Sequence, residues 1–266
     1  MPLQEMRIGE MLDTAVKLYR QHWKTFMGLA AVVVVPYVFL QTFLLRSALR
    51  VNPFNFNPRT VQSSEPSSTV AAIGAAFTLA YVVFLQPLLV GAVARAAADI
   101  YRGEIPGLKA TYRFALSRFR SILWISILTG LAAAGGFLML VIPGIIFLVR
   151  FSFGTVVLVV EGERGRKALG RSWRLAKGRF WKIFGTLFLA ILLTGVVANI
   201  LQIPLLLASF PLGESGWPLR ALSGAAASIV TRPFIAIITV LLYFDCRIRK
   251  EGMDIDVAAR DLGLVP

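Results

Sequence analysis

Six apolar stretches, each long enough to cross a bilayer, constrain the fold of this chain more than any other feature. A helix needs about 20 consecutive apolar residues to cross roughly 30 Å of hydrocarbon. Of the 266 residues, 57% are apolar and only 16% are charged, whereas soluble domains carry about 25% charged residues. We therefore predict an all-α, polytopic membrane protein. The predicted spans are Phe26–Leu45, Val70–Val93, Ile122–Val141, Gly144–Val160, Ile183–Leu207 and Ala221–Phe244.

The basic residues alternate between the segments that separate the spans. Of the 28 Lys and Arg residues, 22 lie before the first span, between spans two and three, between spans four and five, or after the sixth. Only 4 lie in the other segments, which include a long proline-bearing stretch from Arg46 to Thr69 that we interpret as an external loop. By the positive-inside rule, this distribution predicts six spans with both termini in the cytoplasm.

The net charge of +14 also indicates which class of partner the chain binds. Excess basic charge is typical either of proteins that bind nucleic acid or of the cytoplasmic side of a membrane protein. The high apolar content favours the membrane. We expect membrane lipids, anionic ones included, as partners and no nucleic acid.

Three basic segments have helical periodicity and run directly into a span. Apolar residues recur at helical spacing from Ile8 to Trp23, from Leu108 to Ile122 and from Leu169 to Phe180, with Lys and Arg on the opposite face. Basic amphipathic helices with Trp and Tyr suit the membrane interface, where anionic headgroups attract their charge. We predict three interfacial helices. The alternative is three short helices packed in water against the spans.

The same three segments predict an internal repeat within one integral membrane domain covering residues 1–266. The junctions with the following spans have related sequences, RQHWKTFM, SRFRSILW and GRFWKIFG. Each unit would consist of an amphipathic helix followed by two spans. The predicted units cover approximately residues 7–104, 105–163 and 164–252, and such repeats are common in membrane transport folds.

Residues that perform catalysis are scarce in this chain. It has one histidine, His22, and one cysteine, Cys246, so neither a His/Cys metal site nor an intrachain disulfide is expected. It contains no P-loop, HExxH or CxxC motif. We therefore expect no enzymatic activity, no catalytic residue, no metal and no cofactor.

Arg150 and Arg232 are the most informative single residues, because each falls inside a predicted span. A charge at the centre of a span costs about 2.5–3.5 kcal/mol on insertion scales, and no Asp or Glu is predicted at a similar depth. One hypothesis is that both arginines, with Gln86 of the second span, line a cavity that binds an anion or a lipid headgroup. The alternative is a structural role, in which they extend toward water or bond to free carbonyls.

Three parts of the chain resemble a known family. They are RIGEMLDTAVKLYRQHW near the start, VVLVVEGERGRKALGRSWRLAKGRFWKIFG in the middle and LLYFDCRIRKEGMDIDVAARDL near the end. Together they look like the membrane-domain family named after glycerophosphoryl diester phosphodiesterase, most members of which are uncharacterised bacterial multi-pass proteins. The motif residues, which have no known role, include Glu161, Gly162, Arg171, Ser172 and Trp173. The resemblance implies no catalytic residue and a bacterial inner (cytoplasmic) membrane location.

Three functional hypotheses remain open at the level of sequence. The first is a non-catalytic inner-membrane protein with a lipid- or envelope-related role. The second is a transporter or flippase-like protein with an anion-binding cavity. The third is a membrane scaffold that recruits cytoplasmic partners. An open, hydrated cavity would favour the second hypothesis, whereas an apolar bundle would favour the first or the third.

Overall fold

The computed structural model describes residues 6–49, 68–104, 106–212 and 216–251, and the regular structure in these ranges is entirely helical. Most of the predicted outer loop and the C-terminal residues 252–266 lie outside them. The α-helices are α1 Ile8–Gln21, α2 Trp23–Leu49, α3 Ser68–Ala80, α4 Gln86–Tyr101, α5 Leu108–Ser117, α6 Phe119–Met139, α7 Val141–Phe151, α8 Gly154–Val160, α9 Arg166–Ala176, α10 Phe180–Ser209 and α11 Trp217–Glu251. A π-helical turn, Tyr81–Leu85, joins α3 to α4.

Six helical segments are long and apolar enough to cross a membrane, which confirms the predicted all-α class with six candidate spans. Most of these segments extend beyond the predicted spans, most clearly toward the basic segments. The observed segments are Trp23–Gln41, Ala72–Tyr101, Phe119–Met139, Val141–Val160, Phe180–Ser209 and Pro218–Glu251.

The three segments predicted to be amphipathic form helices α1, α5 and α9, and each buries one face. In α1 the buried residues are Met11, Ala15 and Leu18, spaced at three and four positions as a single helix face requires. At the start of α1 the Glu10 carboxylate accepts a hydrogen bond from the Arg7 N–H at 2.7 Å. This bond satisfies a backbone N–H group that has no partner within the helix. Location of these helices at headgroup depth stays a prediction, as does the three-unit repeat.

Burial divides the bundle into two regions. Almost every residue from Ala236 to Ile248 of α11 is buried, as are most of Gly91–Tyr101 in α4 and Gly154–Val159 in α8. We call this region, with α1, α5 and α9 packed around it, the packed base. Away from it the helices expose large apolar side chains such as Phe39 at 68% and Ile200 at 64%. Such a surface suits hydrocarbon rather than water.

The second span is interrupted where Pro87 occurs. Proline has no N–H and its ring displaces the preceding turn, so a helix through it must adjust. Here the adjustment is the π-helical turn Tyr81–Leu85, which ends when the Gln86 N–H bonds to the Tyr81 carbonyl. Pro233 lies within α11, which continues through it as one helix.

Candidate functional site

Arg150, in the last turn of α7, contacts α9. Its guanidinium carbon lies 4.2 Å from the ring centroid of Trp173, a cation–π distance. The Arg150 Nε atom is buried and has no hydrogen-bond partner among the described residues. The neighbouring Ser172 hydroxyl donates to the Arg150 carbonyl at 2.7 Å and accepts the Phe153 N–H at 3.2 Å. Motif residues Ser172 and Trp173 therefore hold the break between α7 and α8.

Arg232 also lies over an aromatic ring, but in another part of the bundle. Its guanidinium carbon is 5.2 Å from the ring centroid of Tyr81, and that ring stacks on Tyr37 of α2 at 3.7 Å. Gln86 begins the helix that follows the π-helical turn containing Tyr81. No described contact joins Arg150 to Arg232 or to Gln86. A single cavity lined by all three residues stays a prediction.

The motif residues Glu161 and Arg171 form an ion pair at the packed base. Arg171 Nε donates to Glu161 Oε2 at 2.9 Å and its Nη2 donates to Oε1 at 3.1 Å, the two-pronged geometry that binds a carboxylate most firmly. The Tyr243 hydroxyl of α11 donates to the same carboxylate at 2.7 Å. Arg171 also contacts Glu251 at 2.5 Å. The motif therefore links α9 to the end of α11.

Gly162 supplies the turn that makes this pairing possible. It lies just after α8 with φ of 78°, a left-handed conformation that side-chain-bearing residues rarely adopt. The chain reverses there and enters α9, which places Arg171 opposite Glu161.

The pKa of Glu161 results from opposing effects. Burial raises it, but hydrogen bonds from Arg171 and Tyr243, together with the charges of Arg171 and Arg247, outweigh that effect and lower the pKa below its usual value. A carboxyl group whose pKa is lowered by folding stabilises the protein above its unfolded pKa of about 4.3 and loses this contribution as the pH falls through the folded pKa.

We therefore expect Glu161→Gln to destabilise the protein at neutral pH. The difference from wild type should shrink as the pH falls below about 4, because the wild-type carboxyl then becomes protonated as well. Unfolding in detergent, followed by circular dichroism over a pH series, measures this difference. The exposed Glu163 lies in the same turn, and Glu163→Gln should leave unfolding little changed throughout. A constant Glu161→Gln difference at all pH values would contradict the ion-pair role.

A second polar cluster ties the N-terminal segment to α10 and α11. Asp245 is fully buried, and its carboxylate accepts from Lys182 Nζ at 2.6 Å, from the Met6 N–H at 3.0 Å and from Arg249 Nε at 3.1 Å. Lys182 Nζ also donates to the Met6 carbonyl at 2.7 Å. The only local sequence signal for this cluster is Arg249, four positions after Asp245, a spacing that places both on one helix face.

An apolar groove opens between α2 and α11, away from the packed base. It has a volume of about 490 Å³, within the range of roughly 300–1,000 Å³ typical of ligand sites. The groove exists because alanine residues on α11 are too small to fill the space between α11 and α2. We call it the lateral groove, and its lining residues are all apolar: Met27, Val35, Val38, Phe39, Pro218, Ala221, Leu222, Ala225, Ala226, Ile229 and Val230.

Lys24 extends the α2 side of this groove toward the basic end of the helix. It precedes Met27 by three positions and therefore lies on the same face of α2, one turn beyond the groove. Its side chain is exposed, with Nζ 5.8 Å from the ring centroid of Trp23. A lysine beside an exposed tryptophan is the combination found where a helix crosses the membrane interface.

Within the described ranges, no group of three or more His, Cys, Asp or Glu side chains is arranged to hold a metal ion. The polar clusters described above are ion pairs and hydrogen bonds between helices, and the lateral groove is apolar. The groove suits an apolar ligand, and the exposed or half-buried cations suit an anion.

Comparison with known proteins gives one match. A family model described as a domain of unknown function, DUF7847, matches residues 103–244, just over half of the chain. This segment contains the Glu161–Arg171 motif, Arg150, Arg232 and Tyr243. The resemblance to the glycerophosphoryl diester phosphodiesterase membrane-domain family is not confirmed. Neither the curated proteins nor the solved structures include a match to the chain. The chain belongs to the DUF7847 family of domains of unknown function.

Proposed function

We propose that this chain is a non-catalytic, lipid-binding protein of the bacterial inner membrane with both termini in the cytoplasm. The lateral groove between α2 and α11 is the observation that supports this proposal. A hydrated, polar cavity would instead have favoured transport of a polar solute. The groove presents only apolar side chains, and several of them, such as Phe39 and Leu222, are exposed at the apolar surface of the bundle.

The occupant that fits the groove is an acyl chain of a phospholipid. The groove extends along α2 from Met27 to Phe39, a rise of about 18 Å at 1.5 Å per residue. That length is a little over half of the roughly 30 Å hydrocarbon core, as one leaflet of lipid requires. Small residues such as Ala221 and Ala226 usually let helices approach closely. Here they border a gap, so a chain lying against them would replace the missing helix contact.

Charge complementarity selects an anionic headgroup for this lipid. Lys24 lies one turn beyond Met27 on the groove face, where the phosphate of a lipid seated in the groove would emerge. The net charge of +14 is concentrated in the segments predicted to face the cytoplasm. A basic residue near an anionic membrane surface contributes about 1 kcal/mol. Phosphatidylglycerol is therefore the expected ligand in preference to phosphatidylethanolamine.

Native mass spectrometry of protein purified in mild detergent tests this proposal. Wild-type protein should retain phosphatidylglycerol. Ala226→Phe should abolish the retention, because the ring fills the groove. Lys24→Gln should weaken the preference for phosphatidylglycerol over phosphatidylethanolamine about fivefold, the equivalent of about 1 kcal/mol. Ala76→Phe is the matched control, since Ala76 is exposed on α3 outside the groove.

The outcomes separate the groove from other sources of lipid binding. Loss of lipid from Ala226→Phe but not from Ala76→Phe supports the groove. Equal retention by both variants and wild type would overturn the proposal. Equal loss from both variants would also count against it, because the bound lipid would then reflect the general apolar surface.

A second candidate is an anion-binding role at Arg150, as in a flippase-like protein. The buried Nε of Arg150 without a hydrogen-bond partner favours it, since an arginine fork can bind phosphate through two parallel hydrogen bonds. In the same assay this candidate requires that Arg150→Leu abolish retention of anionic lipid and Arg150→Lys weaken it. Ala226→Phe would then have little effect.

A further inference from the structure

Helices α6 and α7 form a hairpin whose tip is entirely apolar and highly exposed. A single residue, Leu140, joins the two helices. Residues 130–149 contain no polar side chain. The exposed fractions at the tip are Leu138 89%, Met139 79%, Leu140 69%, Val141 63% and Ile142 70%. Exposure of a turn of this composition to water is unfavourable.

The first leg of the hairpin begins inside the packed base. A Cβ atom at Gly154 of α8 would lie 2.9 Å from Ile125 Cγ2, and one at Gly91 of α4 would lie 2.7 Å from Ile122 Cδ1. Trp124 approaches Gly165, immediately before α9, with Cδ1 3.3 Å from such a position. The first two turns of α6 therefore pack against the elements of the base. The part of α6 after Ile125 extends from the base toward the tip.

The second leg returns to the level at which the first begins at Gly154, the start of α8, where an added Cβ would lie 2.9 Å from Ile125 Cγ2 of α6. Ser172 of α9 bonds to both Arg150 and Phe153, which fixes the end of α7 against α9. The following helix, α8, is buried in the packed base.

Both legs are short compared with the bilayer. From Val141 to Gly154 a helical path rises about 20 Å, and from Ile125 to Met139 it rises about 21 Å. The hydrocarbon core is roughly 30 Å thick. With the base at the cytoplasmic interface, where its basic helices are predicted to lie, a hairpin of this length ends within the bilayer rather than in the water beyond it.

Two features reduce the number of free backbone groups at the tip. The Leu140 N–H donates to the Gly136 carbonyl at 3.0 Å, and Pro143 in the first turn of α7 has no N–H to leave unpaired. A Cβ at Gly136 would lie 2.7 Å from the Gly144 nitrogen, so the two legs are in close backbone contact just below the tip.

We infer that α6 and α7 form a re-entrant hairpin that inserts its tip among the acyl chains at the bilayer midplane and leaves on the side from which it entered. The two helices remain apolar and long enough to count as candidate spans. The basic segments before α6 and after α8 lie on the same side of the membrane whether α6 and α7 cross it twice or do not cross it. The distribution of basic residues therefore fits both arrangements. The inference does not depend on lipid binding in the lateral groove.

Cysteine accessibility tests this arrangement in the full chain. In a Cys246→Ala background, Leu140→Cys is compared with Leu212→Cys, in the turn after α10, and with Ser117→Cys, at the end of α5. A membrane-impermeant maleimide should label the Leu212 and Ser117 variants from opposite sides. It should label the Leu140 variant at least about tenfold more slowly from either side, because the reagent does not enter hydrocarbon. A monodisperse peak in detergent serves as the folding control.

A spin label at the same three positions distinguishes lipid from a protein partner as the cover of the tip. The Leu140→Cys label should collide readily with oxygen and rarely with a polar nickel complex, giving a depth near the midplane. Low accessibility to both reagents would show that protein covers the tip and would overturn the inference. Maleimide labelling of Leu140→Cys from the same side as Leu212→Cys would also overturn it, since the hairpin would then cross the membrane.

Discussion

Replacing Asp245 by asparagine is expected to lower the free energy of unfolding by about 3–5 kcal/mol, the range found when one partner of a buried ion pair is removed. The Asp245 side chain is fully buried, while those of Lys182 and Arg249 are only 20% and 21% exposed. The substitution keeps the shape but removes the charge that compensates two cations. It also weakens the attachment of Met6, and with it the start of α1. Unfolding in detergent, by heat or by titration with a denaturing detergent, measures the loss.

Asp13 provides a matched control for this prediction. It pairs with Lys17 at 2.6 Å, but the side chains are 60% and 66% exposed. Exposed pairs contribute about 0–1 kcal/mol, so Asp13→Asn should change stability little. Similar losses from the two substitutions would show that burial of the Asp245 cluster does not matter, contrary to our prediction. Proteolysis should also cleave the N-terminal segment faster in Asp245→Asn than in Asp13→Asn, because the attachment of Met6 is weakened only in Asp245→Asn.

Gly136→Ala is expected to destabilise the protein by about 1–3 kcal/mol, the range for overpacked interiors. A Cβ at Gly136 would lie 2.7 Å from the Gly144 nitrogen and 2.8 Å from the Gly144 Cα. These neighbours are backbone atoms and cannot move aside by changing a rotamer. The added methyl group must therefore separate α6 from α7. Unfolding in detergent measures the effect, and a disulfide placed across the hairpin would form more slowly in the variant.

The adjacent glycine supplies the control. A Cβ at Gly135 would have no atom within 4 Å, so Gly135→Ala should be neutral or slightly stabilising, as expected for alanine in a helix. If Gly136→Ala behaves like Gly135→Ala, the hairpin is looser than the structure indicates. The comparison holds whether or not the hairpin crosses the membrane.

Local pattern alone predicted the helical elements. The period of apolar residues located α1, α5 and α9, and unbroken apolar length located the six candidate spans, because both signals depend only on neighbours along the chain. The sequence also showed that Arg150 and Arg232 needed compensation within a span, since the cost of a buried charge follows from position alone.

The partners of these residues were decided only by tertiary structure. Met6 and Asp245 are 239 positions apart, and Glu161 and Tyr243 are 82 apart, so no periodicity relates them. Arg150 and Arg232 belong to corresponding spans of the predicted repeat, yet they lie over the aromatic rings of different helices. The sequence by itself determined which segments are helical and which faces are apolar. Tertiary packing decided the height and rotation of each helix against its neighbours, and hence the ion pairs, the lateral groove and the close contact between α6 and α7. Those depend on side-chain contacts between segments far apart in the chain, which local hydrophobicity does not encode.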